Sequence, residues 1–153
     1  MKHFIIMFLA GISTTFFAQV KSLERVKHFN LENRLAIQGY DPVAYFYSGK
    51  AIKGVSKNQS MHLGVIYYFS SETNKKTFET NPSKYEPQYG GWCAFAMGDS
   101  GNKVAIDPKT FKIINGKLYL FYNAYFNNTL KSWNKNEKNL KAKADKNWFN
   151  FLK

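Results

Sequence analysis

Soft donor atoms are scarce in this chain, and their types and spacing set the chemistry within its reach. The single cysteine, Cys93, lies in Y-E-P-Q-Y-G-G-W-C-A-F-A-M, four residues before Met97, while His62, with Met61 beside it, supplies an imidazole. A thiolate, an imidazole and a thioether together suit a soft ion such as Cu(I). In a helix, Cys93 and Met97 share a face at the i, i+4 spacing; in a strand they stand about 13 Å apart and chelate nothing jointly. Asp41 and Asp107 would each add an oxygen, yet both precede a proline and suit a helix cap. Beside this stands the plainer reading, in which Cys93 and Met97 fill a core and His62 is a hydrogen-bonded strand residue.

The same cysteine would serve as a nucleophile if His62 or a helix N-terminus lowered its pKa. No second cysteine resolves an oxidised intermediate, and C-x-x-C, paired carboxylates at helical spacing, a phosphate-cradling glycine loop and a Ser-His-Asp order are all missing. An enzyme is the weaker reading. In a third, Tyr40, Tyr45, Tyr85, Tyr89 and Trp92 line an aromatic pocket for a small molecule or a protein, although the same residues would also make a core.

The elements that must position these groups follow from local pattern. Pro82, Pro87 and Gly90-Gly91 shape the approach to Cys93: the prolines fix φ, and the glycines allow left-handed backbone and close approach. Asp41-Pro42 opens a helical turn. Residues 49–57 are polar and turn-like, and the runs at 61–63 and 65–69 around Gly64 predict two strands and a tight turn. Ser71 caps a short helix carrying Phe78, which Asn81-Pro82 ends. Val104 to Ile106 predicts a strand, and Asn115-Gly116 joins Phe111 to Ile114 with Leu118 to Tyr122 in a hairpin. From Leu130 to Trp148, apolar residues recur every three or four positions, which predicts an amphipathic helix pair broken near residues 134–136. Residues 23–35 form a lead-in with a short helix, in which His28 is solvated.

Met1-Lys2-His3, the apolar run Phe4 to Phe17 and Ala18-Gln19 follow the charged, apolar, small-residue order of a secretory signal peptide, with cleavage after Ala18. The apolar run falls short of the roughly 20 residues of a spanning helix. Residues 19–153 are then one exported domain, periplasmic or secreted, without a transmembrane segment. One cysteine permits no internal disulfide, so stability rests on packing, with 18% aromatic residues to supply it. Removing residues 1–18 takes the net charge only from +12 to +11. The lysines are scattered without interleaved stacking aromatics, and with export this argues against nucleic acid as a partner.

Several motifs together resemble the YHS domain family in its longer, exported form. They are G-Y-D-P-V-A-Y-F at Gly39 to Phe46, Y-Y-F-S-S at Tyr67 to Ser71, F-E-T-N-P-S-K-Y-E-P-Q-Y-G-G-W-C-A at Phe78 to Ala94, I-D-P-K-T-F at Ile106 to Phe111, I-N-G-K-L-Y-L at Ile114 to Leu120 and K-A-D-K-N-W at Lys143 to Trp148. The resemblance spans nearly all of residues 19–153. It implies a small treble-clef-like core and, for members with a cysteine pair in a pattern like Y-F-C-x-x-x-C, binding of a heavy metal such as copper. Here that pair is matched by Ser70 and Asn74, which removes a structural zinc-thiolate site. The expectation is therefore an α+β domain in which two hairpins share an antiparallel sheet and C-terminal helices pack across it. Its expected function is non-catalytic, with a copper or zinc ion on Cys93 aided by His62, Met97 and Asp41. The alternatives are a metal-free pocket at Tyr40, Tyr45, Tyr89 and Trp92, or a thiol enzyme.

Overall fold

The computed structural model describes residues 19–20 and 22–153; the expected signal peptide, residues 1–18, lies outside them. A helix, α1 (residues 22–28), precedes β1 (Leu31–Glu32) and β2 (Leu35–Ala36). The helical turn α2 (Ala44–Tyr47) leads into the hairpin of β3 (Val55–His62) and β4 (Val65–Phe69). These strands form one sheet in the order β1-β2-β4-β3, in which β2 and β4 run parallel through Leu35 and Ile66. β4 alternates, with Val65, Tyr67 and Phe69 buried and Ile66 and Tyr68 half-covered, as a strand with one face on a core must. β3 begins at Val55, inside the segment that sequence reads as turn-like, because its polar residues suit an exposed edge strand.

Helix α3 (Glu72–Thr80) starts as predicted, with Ser71 Oγ accepting from the Asn74 N–H at 3.1 Å. Pro82 then takes the first turn of α4 (Pro82–Tyr85). After α5 (Ala94–Asp99), residues 101–106 are irregular where a strand was predicted. The Val104 carbonyl accepts from the Cys93 N–H at 2.9 Å and so joins no ladder. The second hairpin, β5 (Asp107–Ile114) and β6 (Lys117–Phe121), turns at Asn115 and Gly116, both left-handed with φ of 50° and 70°. It forms its own sheet instead of extending the first. β4 already has β2 and β3 on its two sides, and the outer strand β3 is polar along most of its length. A small hairpin of β7 (Asn123–Ala124) and β8 (Asn127–Asn128) leads to α6 (Thr129–Lys135) and α7 (Glu137–Phe151), which break at Asn136 (φ −150°) as the pattern predicts.

β6 organises the interior. Its residues Leu118 to Phe121 are all buried, so both faces of the strand are covered. Alternation sends Leu118 and Leu120 into a core with Val43, Tyr45, Tyr67, Phe69, Phe78 and Cys93. It sends Tyr119 and Phe121 into another with Tyr89, Met97, Trp133, Leu140 and Ala144. The C-terminal helices build this second core: Trp133 packs on Phe121 and Tyr119 with ring centroids 5.5 and 5.9 Å away. α7 presses on α5 so closely that a Cβ on Gly98 would lie 2.4 Å from the Leu140 carbonyl oxygen. The helices thus cover the second hairpin and α5, and the mixed α+β class holds with two cores divided by one strand.

Candidate functional site

Cys93 caps α5 with non-helical angles (φ −59°, ψ 117°), and the Met97 N–H donates to its carbonyl at 3.0 Å. The helical spacing that metal chelation requires is therefore present in the backbone. The side chains nonetheless part, because ψ at Cys93 turns it out of helical phase. Cys93 enters the core on one side of β6 and Met97 the core on the other, both fully buried.

The Cys93 thiol lies in a closed set of hydrogen bonds. Thr129 Oγ1 donates to the Tyr122 carbonyl at 2.8 Å, so the hydroxyl oxygen is left to accept from the thiol at 3.5 Å. The Tyr122 N–H returns a bond to Sγ at 3.4 Å. Sulfur thereby links the start of α5, the end of β6 and the start of α6, using its donor and an acceptor lone pair. His62, the last residue of β3, lies edge-on to Phe78 with centroids 6.3 Å apart. Among the described residues, no group of three or more His, Cys, Asp or Glu side chains is placed to hold a metal ion.

Asp41 is a buried junction. Oδ1 accepts from the N–H groups of Val43 (2.9 Å) and Ala44 (3.3 Å), which is the capping role that Asp-Pro predicts. Oδ2 accepts from the Ser70 N–H (2.8 Å), the Ser70 hydroxyl (2.6 Å) and Asn74 Nδ2 (2.7 Å). Ser70 and Asn74 stand where the resemblance would place two thiolates, and both spend their polar groups on this carboxylate. A charge-assisted cluster of this kind joins α2 to the end of β4 and the first turn of α3. It does not suit a soft ion, since hydroxyl and amide donors point at the carboxylate and no thiolate is present.

The proposed pocket residues do not converge. Tyr40 and Tyr45 belong to the first core, Tyr89 and Trp92 to the second. The Tyr45 hydroxyl donates to the Pro108 carbonyl at 2.9 Å and that of Tyr89 to Asp145 at 2.8 Å. Trp92 Nε1 donates to the His28 carbonyl at 2.7 Å, and Lys53 Nζ sits 4.6 Å from the Tyr40 ring centroid. Burial first, then neighbouring tyrosine and aspartate charge, raises the Tyr45 phenol far above its ordinary value. Burial and the bond to Asp145 do the same for Tyr89. These are core phenols with satisfied hydroxyls. The close approach that Gly90 permits is made by the chain itself: Phe29 and Trp148 crowd the space that a Cβ there would take, 2.7 Å from each ring.

Two features escape the sequence reading. His28 is not solvated: its Nε2 lies 3.3 Å from Glu24, its Nδ1 3.0 Å from Lys103 Nζ, and its side chain is only 14% exposed. Glu86, followed by Pro87, is the centre of a second buried polar group. Its Oε1 accepts from the Tyr67 hydroxyl at 2.7 Å and pairs with Arg25 of α1. Burial and the adjacent Glu86 charge raise the Tyr67 phenol well above its ordinary value, and Arg25 also stacks over Phe29 at 4.4 Å. The pair is 61 residues apart, so no local pattern reveals it.

No protein family matches the chain, and neither a curated protein nor a solved structure matches it. Among the described residues, no helix is long and apolar enough to cross a membrane.

Proposed function

We propose that this chain is an exported, non-catalytic binding module of the YHS type whose cysteine is structural. The motif resemblance along residues 39–148 supports the type, and the charged, apolar and small-residue order of residues 1–18 supports export. The observation that carries the non-catalytic, metal-independent part is the closed set of bonds from the fully buried Cys93 thiol through Thr129 to Tyr122 and back. A nucleophile must reach its substrate and a ligand sulfur must turn a lone pair to the ion. This sulfur faces its own backbone. Asp41, Ser70 and Asn74 support the same reading, because they exchange a thiolate pair for a self-contained hydrogen-bond cluster.

The test is titration of the reduced protein with Cu(I) and with Zn(II) beside Cys93→Ser. The expected result is no saturable binding that depends on Cys93 while the fold is intact. Binding near one ion per chain that disappears in Cys93→Ser would overturn the assignment and restore the metal reading.

A further inference from the structure

The turn between β7 and β8 breaks two rules of a foldable sequence at once. Tyr125 and Phe126 are its central residues, held between the paired Ala124 and Asn127, with φ of 49° and 65°. Left-handed backbone at both positions favours Asn-Gly, as at Asn115-Gly116 of the other hairpin, and is unfavourable for aromatic residues. Their side chains gain nothing in return. Tyr125 is 92% and Phe126 111% exposed, against 68% for Tyr47, the next most exposed large hydrophobic residue described. Of the other apolar residues in the same backbone region, Ile37 and Tyr89 are buried in a core and Leu63 is half-covered. Strain and apolar exposure that serve no fold mark a site retained for another purpose.

We infer that the Tyr125-Phe126 tip is a prong that inserts into the interface of an anionic lipid bilayer. The two rings offer together about 400 Å², roughly half of what one partner contributes to a standard protein interface. A second protein or a second copy needs more surface than that, whereas a bilayer interface takes up single aromatic side chains without a complementary shape. The charge fits as well. The chain carries +12, and the residues next to the tip are the neutral Asn123, Asn127 and Asn128. Exposed Lys131 follows in the first turn of α6, and exposed Lys109 lies beside Thr110, which Asn123 Nδ2 contacts at 3.0 Å. The carboxylate at the base, Asp107, accepts from the Lys109 N–H and the Thr110 hydroxyl at 3.0 and 2.8 Å. Lysines near an anionic surface add attraction that salt screens.

We rest this on the reading of the chain as a binding module; metal binding through Cys93 would sink that reading and leave vesicle binding untouched. The test compares the full chain with its Tyr125→Asn/Phe126→Gly variant for co-sedimentation with vesicles of phosphatidylcholine and phosphatidylglycerol (7:3) and of phosphatidylcholine alone. Residues 1–18, whose apolar run would itself enter a bilayer, are common to both proteins, so the ratio of their partition constants, measured at lipid concentrations well below saturation, reads the tip. The expected loss in the variant is at least about tenfold in partitioning onto the anionic vesicles. Wild-type binding falls with added salt and is weaker on the neutral vesicles. Because the variant restores turn-compatible residues, its thermal midpoint rises by roughly 2–4 °C, which separates lost binding from lost folding. In Phe126→Trp, added fluorescence quenched by brominated lipid confirms insertion. Equal partitioning of wild type and variant, or no binding of wild type to anionic vesicles, overturns the proposal. Tip-dependent self-association without vesicle binding overturns it in favour of a protein partner.

Discussion

Replacing Asp41 tests the buried junction most severely. In Asp41→Ala, the Asn74 amide has a remedy, since its Nδ2 already donates to Ser70 Oγ at 3.3 Å, while the Ser70 O–H loses its acceptor and must rotate to another. The N–H groups of Val43, Ala44 and Ser70 have none, because their backbones are fixed by α2 and the end of β4. Each orphaned buried donor costs about 1–3 kcal/mol, the bond to Ala44 is long at 3.3 Å, and Ser70 is only half-buried. Relief of carboxylate desolvation offsets part of the sum. The expected loss is about 4 kcal/mol, a large part of an ordinary domain stability of roughly 5–15 kcal/mol. Asp41→Asn is the sharper probe. It keeps the shape, yet whichever way the amide turns, its NH₂ meets donors from either α2 or the Ser70-Asn74 side, for a loss of about 2–3 kcal/mol. Urea unfolding followed by tryptophan fluorescence reads both, and with a slope near 2 kcal/mol per molar the Asn variant shifts its midpoint by about 1–1.5 M. An Asp41→Asn midpoint within about 0.2 M of wild type would refute the claim that both oxygens are fully engaged.

Other expectations follow from the same packing. Tyr45, Tyr67 and Tyr89 hold their protons in the fold far above the usual tyrosine range, chiefly through burial, while the unfolded chain ionises them near pH 10. Their contribution to stability is complete below about pH 10 and is lost as pH rises beyond it, at about 4 kcal/mol per pH unit for three phenols; urea midpoints between pH 8 and 11 check the slope, and a flat profile would contradict it. Gly98→Ala forces a Cβ onto the Leu140 backbone, so α5 and α7 must separate, with an expected loss of about 1–3 kcal/mol seen in thermal unfolding. Glu86→Gln leaves the Arg25 guanidinium, 14% exposed, without its counter-charge, and the expected loss is about 2–3 kcal/mol; a loss below about 0.5 kcal/mol would mean that water serves Arg25 equally well.

Local chemistry was legible in the sequence; partition was not. Ser71, Asn115-Gly116 and the break at Asn136 act through neighbours one to four residues away, so their types announced the helix start, the hairpin turn and the helix break. The capping role of Asp41 was legible for the same reason. Its second set of donors was not, because Ser70 and Asn74 arrive from 29 and 33 residues away. The donor set Cys93, His62, Met97 and the aromatic set Tyr40, Tyr45, Tyr89, Trp92 were grouped by chemical type. β6, with both faces buried, separates members of each set into different cores. A continuous apolar run such as L-Y-L-F does signal a strand covered on both faces, but it does not say which residues lie on either side. The strand predicted at 104–106 failed because the Val104 carbonyl serves Cys93 instead of a ladder.

The Cys93 thiol is held in its own hydrogen bonds, and its rate of reaction with a chromogenic disulfide reagent measures how well they seal it. In the native protein the expected modification is at least about a thousandfold slower than in the urea-unfolded chain, because reaction waits on opening of the core. Native modification within about tenfold of the unfolded rate would show an accessible sulfur and contradict the structural assignment.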